Sequence, residues 1–251
     1  MGRWKRHVVI WLSYKGMLRL SLALVAVVVV VFLMSQRITP ESKWTYFNLP
    51  LANQKIVIDA GHGGVDGGAV SKQGLIEKDL NLAIALQLRD YLQQSGATVV
   101  MTREGDYDLA SADQKKYSKR KTEDLLRRAA IIKKENPTIV ISVHMNSVPS
   151  PKWSGAQTFY YAGNQANGMK LAELIQEELR QNLQNTSRSV GEAANVYLLK
   201  EITSSPMALV EVGFLSHPEE AVRLADAEYQ RKVAASIYQG VLRFSAEKTL
   251  E

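Results

Sequence analysis

KIVIDAGH, at residues 55–62, is a short β-branched run that ends in a glycine and a histidine. IVISVH, at residues 139–144, follows the same plan and also ends in a histidine. Short apolar runs of this kind indicate buried strands. Because the loops at the strand ends of an α/β sheet converge on one rim, we expect His62 and His144 to lie close together. Two imidazoles at one rim are the start of a zinc site.

The chain from residue 55 onward alternates between strand and helix patterns. Apolar residues recur at helical spacing from about Asp79, and Gly96 ends this helix. We predict further helices at 125–135, 166–183 and 229–244, and strands at 55–59, 98–102, 138–144, 156–161, 196–199 and 207–212. The polar stretch 104–121 is predicted to be an exposed loop. This alternation predicts an α/β domain in which a layered sheet carries helices on both faces.

Composition limits the chemistry that the chain can use. Its 251 residues allow one large domain with an appendage, and the apolar content of 46% is sufficient for a sizeable core. Cysteine is absent, which excludes disulfides and thiolate metal sites. A metal must therefore be held by nitrogen and oxygen ligands.

The N-terminus carries much of the net charge of +6 and an uncharged apolar run, LSLALVAVVVVVFLM, at residues 20–34. Five basic residues precede the run and two follow it: Arg3, Lys5, Arg6, Lys15 and Arg19, then Arg37 and Lys43. This asymmetry predicts a cytoplasmic segment at 1–19, a membrane anchor at 20–34, a linker at 35–54 and an extracytoplasmic domain at 55–251. Ser35-Gln36-Arg37 lacks a small-x-small site, so we favour a retained anchor over a cleaved signal peptide.

Two glutamates are candidates for the remaining chemistry. Glu77 comes just before the first long helix, where an acid by itself is explained by the helix dipole. With two histidines at strand ends it becomes a candidate third zinc ligand, which leaves one position open for water. Glu211 lies in the apolar strand ALVEVGF, where a carboxylate is costly to bury without a partner. It is either a structural salt-bridge partner or a general base with a raised pKa.

Three other signals are weaker. The Gly61–Gly64 turn lacks the spacing of a phosphate-binding loop, and its glycines more simply allow a sharp turn beneath a metal ligand. His217, next to Pro218, is interpreted as a surface residue near a helix start. The basic run 115–121 is interpreted as a solvated loop, with contact to an anionic wall polymer or lipid head groups as the alternative.

Five blocks in this order resemble the zinc-dependent N-acetylmuramoyl-L-alanine amidases of the amidase-3 type: IVIDAGHGGVDGGA, GLIEKDLNLAIALQLRDYL, VVMTREGD, IVISVHMNS and ALVEVGFLSHPEEAVRL. The resemblance covers residues 55–245. It implies a mixed, twisted sheet of about six strands flanked by helices, zinc held by His62, Glu77 and His144, and Glu211 as the catalytic acid/base. Ile132-Lys133 and His217 depart from the family's usual Ala-Asn and Asn, but neither change touches a proposed ligand.

The resemblance also implies the reaction. The amide between the lactyl group of N-acetylmuramic acid and L-alanine in peptidoglycan would be hydrolysed with Zn²⁺ as cofactor. The short anchored form, without wall-binding repeats, is most similar to the amidases of spore formers that act in germination, which implies a role in muramic-δ-lactam formation in the spore cortex. The expected partners are peptidoglycan and the membrane, with no nucleic acid. The sequence does not specify an activating protein partner.

Two alternatives are weighed against this interpretation. A zinc peptidase acting on the stem peptide would use the same metal site. A catalytically inactive wall-binding protein would typically lack a ligand or the base, whereas all four proposed residues are present in this chain.

Overall fold

The computed structural model describes residues 13–37, 49–163 and 167–249. The chain divides into two units, residues 1–48 and 49–251. Helix α1 (Tyr14–Arg37) lies in the first unit. Its stretch Tyr14–Phe32 is long and apolar enough to cross a membrane, with a mean hydropathy of 2.2, although a signal sequence meets the same criterion. The basic residues before Ser13 and most of the predicted linker lie outside the described residues.

The second unit is an α/β domain, as predicted. Its elements are β1 (Lys55–Ala60), α2 (Glu77–Gln94), β2 (Thr98–Met101), α3 (Tyr117–Glu135), β3 (Ile139–Asn146), β4 (Gln157–Tyr160), α4 (Gly168–Leu183), β5 (Gly191–Glu192), α5 (Tyr197–Glu201), β6 (Met207–Phe214), α6 (Pro218–Ala225) and α7 (Ala227–Thr249). The expectation of about six strands in one sheet is confirmed.

The sheet is mixed and has the strand order β2-β1-β3-β6-β4-β5. β1, β2, β3 and β6 are parallel, whereas β4 runs antiparallel to β6 and parallel to β5. In this register Asp59 lies beside Ser142, and His144 lies beside Glu211. The carboxyl ends of β1, β3 and β6 therefore meet at one edge, as the strand-end histidines predicted.

The two faces of the sheet have different neighbours. One face packs its apolar side chains, such as Ile58 and Ile141, against α2, α4 and α7. The other face packs Val57 and Val140 against α3 and α5. Because side chains alternate along a strand, this second face also carries the polar side chains near the strand ends. They are Asp59, Ser142, His144 and Glu211.

Two local predictions are wrong. Residues 197–201 form helix α5 rather than a strand, and the edge strand is Gly191–Glu192. A run of four residues shows too little hydrophobic periodicity to distinguish a helix from a strand, so packing against the sheet determines the conformation. The predicted loop 104–121 ends early, because α3 begins at Tyr117. Bonds to distant acids hold this basic first turn: the Tyr117 hydroxyl donates to Asp66 Oδ1 at 3.0 Å, and Arg120 Nε donates to Asp108 Oδ2 at 2.8 Å.

Gly240 in α7 is predicted to be required for the close approach of α7 to α4. A Cβ at this position would lie 2.6 Å from Ile175 Cα and 2.8 Å from Ile175 N. In a helix Ala is normally preferred over Gly, but overpacking here should lower the free energy of unfolding by about 1–3 kcal/mol. Urea unfolding of Gly240→Ala measures this loss. Lys232→Ala, on the exposed side of the same helix, is the control and should change little. Wild-type stability of Gly240→Ala would contradict the packing described.

Candidate metal centre and active site

His62 lies two residues after the end of β1, in a sharp turn. Its φ of 63° is in the left-handed region, which is uncommon for a residue other than glycine, and the following Gly63 and Gly64 also have positive φ. Its Nδ1 atom is 2.9 Å from Asp66 Oδ2, and its Nε2 atom is 3.1 Å from Glu77 Oε1. The turn thus directs one ring nitrogen to a supporting carboxylate and the other into the site.

Glu77 is the first residue of α2, and its side chain is buried. Oε1 lies 3.1 Å from both His62 Nε2 and His144 Nδ1, and it also accepts a hydrogen bond from the Met145 amide. Oε2 accepts from the Ala69 amide at 2.8 Å. The carboxylate is therefore held between the two imidazoles, and its position at a helix start does not by itself account for this arrangement.

Two glycines make room for these side chains. A Cβ on Gly61 would overlap the imidazole of His144. A Cβ on Gly68, which has a φ of +69°, would lie 2.7 Å from His62 Cδ2 and 2.9 Å from Glu77 Cβ. The ring centroids of His62 and His144 are then 5.0 Å apart, with an interplanar angle of 75°.

The hydrogen bonds within this cluster favour the charged forms of His62 and Glu77. Burial alone would lower the pKa of His62, but its hydrogen bonds to Asp66 and Glu77 raise this pKa to about 9. Burial would raise the pKa of Glu77, but hydrogen bonds from His144 and His62 hold it far below the usual carboxyl range. Glu77 is thus an anion at neutral pH, which is the form that binds a metal.

The donor set fits a zinc ion. One ligand atom from each of His62, Glu77 and His144 lies within 4.8 Å of the other two. Two imidazoles and one carboxylate form a common catalytic zinc set with an open coordination position. Since the chain has no cysteine, a softer thiolate site is excluded.

Glu211 lies on β6 beside His144 and faces the same cleft. Its Oε2 atom is buried and has no hydrogen-bond partner among the described residues. Burial and the nearby charge of Glu77 raise its pKa to about 7, although the two imidazoles act in the opposite direction. No described cation pairs with this carboxylate, so the structural salt-bridge interpretation has no support.

The cleft in front of these residues has a volume of about 250 Å³. α3 contributes Lys121 and Leu125 to its walls, and the α5 region contributes Tyr197 and Leu198. Lys121 belongs to the basic run predicted as a solvated loop, but its Nζ atom is 3.0 Å from Asp66 Oδ2. His217 does not line the cleft; it caps α6, where its Nδ1 accepts from the Glu220 amide.

Sequence reasoning missed several residues that support the site. They are Asp59, Asp66, Arg103, Lys121 and Arg128. The sequence did contain a signal for Asp59. A carboxylate inside the apolar run KIVID is costly to bury without a partner, which is the argument that was applied to Glu211. The arginines gave no signal of their role at the site, because the backbone carbonyls of residues 60–62 and 78 and the carboxylate of Asp59 are far away in sequence, and the local pair between Arg128 and Asp124 does not point to them.

Comparison with known proteins identifies the family of the chain. The sequence profile of the N-acetylmuramoyl-L-alanine amidase family, amidase-3, matches residues 56–243. The chain is 47% identical over 238 residues to the germination-specific N-acetylmuramoyl-L-alanine amidase of Bacillus subtilis (strain 168), which covers 95% of each chain.

Solved structures give the same result. The CwlD amidase from Clostridioides difficile, in complex with the GerS lipoprotein, superposes with a TM-score of 0.75 at 39% identity, covering 78% of this chain and all of that one. The amidase AmiC2 of Nostoc punctiforme superposes with a TM-score of 0.66 at 33% identity, covering 77% and 98% of the two chains. The chain therefore belongs to the amidase-3 family of N-acetylmuramoyl-L-alanine amidases.

Proposed function

We propose that this amidase is a zinc enzyme in which His62, Glu77 and His144 hold the metal and Glu211 is the catalytic acid/base. The bond hydrolysed is the amide between the lactyl group of N-acetylmuramic acid and L-alanine in peptidoglycan. The observation that carries the proposal is the convergence of three ligand atoms within 4.8 Å, next to a carboxylate whose buried oxygen is unpartnered.

Zinc, when bound, would polarise the amide carbonyl and lower the pKa of a water molecule towards about 7. Glu211 accepts a proton from the attacking water and donates it to the departing nitrogen of L-alanine. The products are a free lactyl carboxylate and a stem peptide with a free amine, and Glu211 returns to its ionised form. A pKa of about 7 suits both steps, because the group gains and loses the proton readily near neutrality.

Cleavage of the lactyl amide is predicted to require the metal. Purified peptidoglycan digested by the enzyme should yield stem peptides that begin with an intact L-alanine, together with glycan free of peptide. Addition of a chelator should abolish this release, and restoration of zinc should recover it. Mass analysis of the products measures both effects. Products cut within the stem peptide would instead support the stem-peptidase alternative.

Glu211→Gln is predicted to retain zinc and fold while losing turnover by a factor of about 10²–10⁴. The amide of glutamine has nearly the same shape and should pack equally well in the apolar strand, but it cannot accept the proton of the attacking water. Zinc content and amide cleavage are measured on the same preparation.

His62→Ala and His144→Ala serve as the matched comparison. Each should lose zinc as well as activity, because each removes a proposed ligand. Full zinc occupancy in both histidine variants would refute the metal site. Near wild-type cleavage by zinc-loaded Glu211→Gln would refute the role of Glu211.

We place this activity in the spore cortex. The support is the 47% identity to a germination-specific amidase over 95% of each chain. Removal of the stem peptide would expose the muramic acid that muramic-δ-lactam formation requires. The Clostridioides relative is in complex with a lipoprotein. A partner of that kind would meet an anchored amidase on the outer side of the membrane.

The proposed location follows from the first unit of the chain. Residues 1–19 would be cytoplasmic, and residues 20–34 would anchor the chain in the membrane. Residues 35–54 would link this anchor to the extracytoplasmic catalytic domain at 55–251. The support is the apolar stretch Tyr14–Phe32 and the excess of basic residues before the uncharged run at 20–34.

Protease added to intact protoplasts is therefore predicted to degrade the catalytic domain of a protein found in the membrane fraction. A cytoplasmic protein of the same cells is the control, and it should be degraded only after detergent is added. Complete protection of the domain would reverse the topology. A mature chain that begins shortly after Met34 would indicate a cleaved signal peptide instead.

A further inference from the structure

Two buried arginines lie beneath the turn that carries His62. Arg103 follows β2, Arg128 lies in α3, and each is only 1% exposed. A buried guanidinium is costly unless its donors are satisfied. Since arginine carries five donors in a fixed planar arrangement, the acceptors that surround it show what it holds in place.

Arg103 bonds to backbone carbonyl oxygens on both sides of the site. Nε donates to Ala60 O at 2.8 Å, and Nη2 donates to Gly61 O at 2.9 Å. Nη2 also donates to Lys78 O at 2.7 Å. Arg103 thus joins the two residues before His62 to the residue after Glu77, and among the described residues it forms no ion pair.

Arg128 holds the next carbonyl in the same turn. Nη2 donates to His62 O at 2.6 Å, and Nη1 donates to Ala60 O at 2.8 Å. Nη1 also donates to Asp59 Oδ1 at 2.8 Å. The other oxygen of Asp59 accepts from Ser142 Oγ at 2.7 Å, and Ser142 precedes His144 by two positions on β3.

The turn needs such support, because its conformation is unfavourable by itself. His62 has a left-handed φ of 63°, and the glycines on either side of it give the backbone additional freedom. Without fixed carbonyls the imidazole could leave the position in which Nε2 faces Glu77. Among the described residues Arg103 bonds only to backbone carbonyls, whereas Arg128 also pairs with Asp59 and Asp124 and is one of the residues that line the cleft.

We propose that Arg103 and Arg128 form a clamp on the carbonyls of residues 60–62 and 78, and that this clamp positions His62 and Glu77 for the metal. Both arginines are positioning residues. The inference rests on the zinc site of the proposed function and adds the groups that set its geometry. Lysine keeps the charge but cannot reach several carbonyls in a plane, so an arginine-to-lysine change tests geometry rather than charge.

The test compares zinc affinity in Arg103→Lys, Arg128→Lys and the wild type, with each full-length chain purified in detergent. Affinity is measured by competition with a chromophoric chelator, and the cobalt-substituted proteins are compared by their visible spectra. Each variant should bind zinc at least about tenfold more weakly, because supporting groups of this kind commonly change metal affinity by about 10–100-fold. The cobalt spectra should change as well.

Leu179→Ala separates positioning from general stability. Leu179 is fully buried in the core between α4 and the sheet, on the face opposite the cleft. The substitution should lower the thermal midpoint of the metal-free protein, while its zinc affinity stays within about twofold of the wild type. If Arg128→Lys does not fold, Asp124→Asn loosens the same arginine, because Asp124 Oδ2 accepts from Arg128 Nε at 2.8 Å. This variant should bind zinc at least about threefold more weakly, on the scale of supporting contacts.

Wild-type zinc affinity in the folded arginine variants would overturn the clamp and leave the zinc site standing. Equal loss of zinc affinity in Leu179→Ala, at an equal loss of thermal stability, would also overturn it. A wild-type protein that binds no zinc would refute the proposed function itself, and the clamp with it.

Discussion

The ion pair between Asp59 and Arg128 is the interaction on which the site depends. Their atoms are 2.8 Å apart, and both side chains are almost completely buried. Burial raises the pKa of Asp59, but Arg128 and the Ser142 hydroxyl lower it to about 2. A depressed pKa means that the stabilisation is present above the ordinary carboxyl range and is lost only as the pH falls towards 2. Removal of one partner from such a buried pair typically costs about 3–5 kcal/mol, because it leaves the other charge uncompensated.

The pair connects three elements that carry the chemistry. It joins β1 to α3 directly, and the hydroxyl of Ser142 extends it to β3. Asp59 and Ser142 are also neighbours in the sheet register. His62, which follows β1, and His144, which lies on β3, are therefore held by the same buried network. The same network holds one wall of the cleft, because α3 supplies Lys121 and Leu125 to it.

Two glutamates in this site have opposite environments. Glu77 lies between two imidazoles, which hold its pKa far below the usual range, so it remains an anion. Glu211 is buried without a hydrogen-bond partner for Oε2, and burial raises its pKa to about 7. Pairs of carboxyl groups whose pKa values are separated in this way are typical of sites with one fixed charge and one group that exchanges protons. This contrast supports the assignment of Glu77 as a ligand and Glu211 as the acid/base.

The sequence by itself determined the fold class, the two strand ends that bring His62 and His144 to one edge, and Glu77 and Glu211 as the acids to examine. These features follow from local patterns, since β-branched runs, helical spacing and an acid in an apolar strand are visible within a few residues. Tertiary structure decided that residues 197–201 form a helix and that α3 begins at Tyr117. It also decided that Arg128 holds the His62 carbonyl, a contact between residues 66 positions apart. Such features depend on acceptors that folding brings from distant parts of the chain, so no local pattern specifies them.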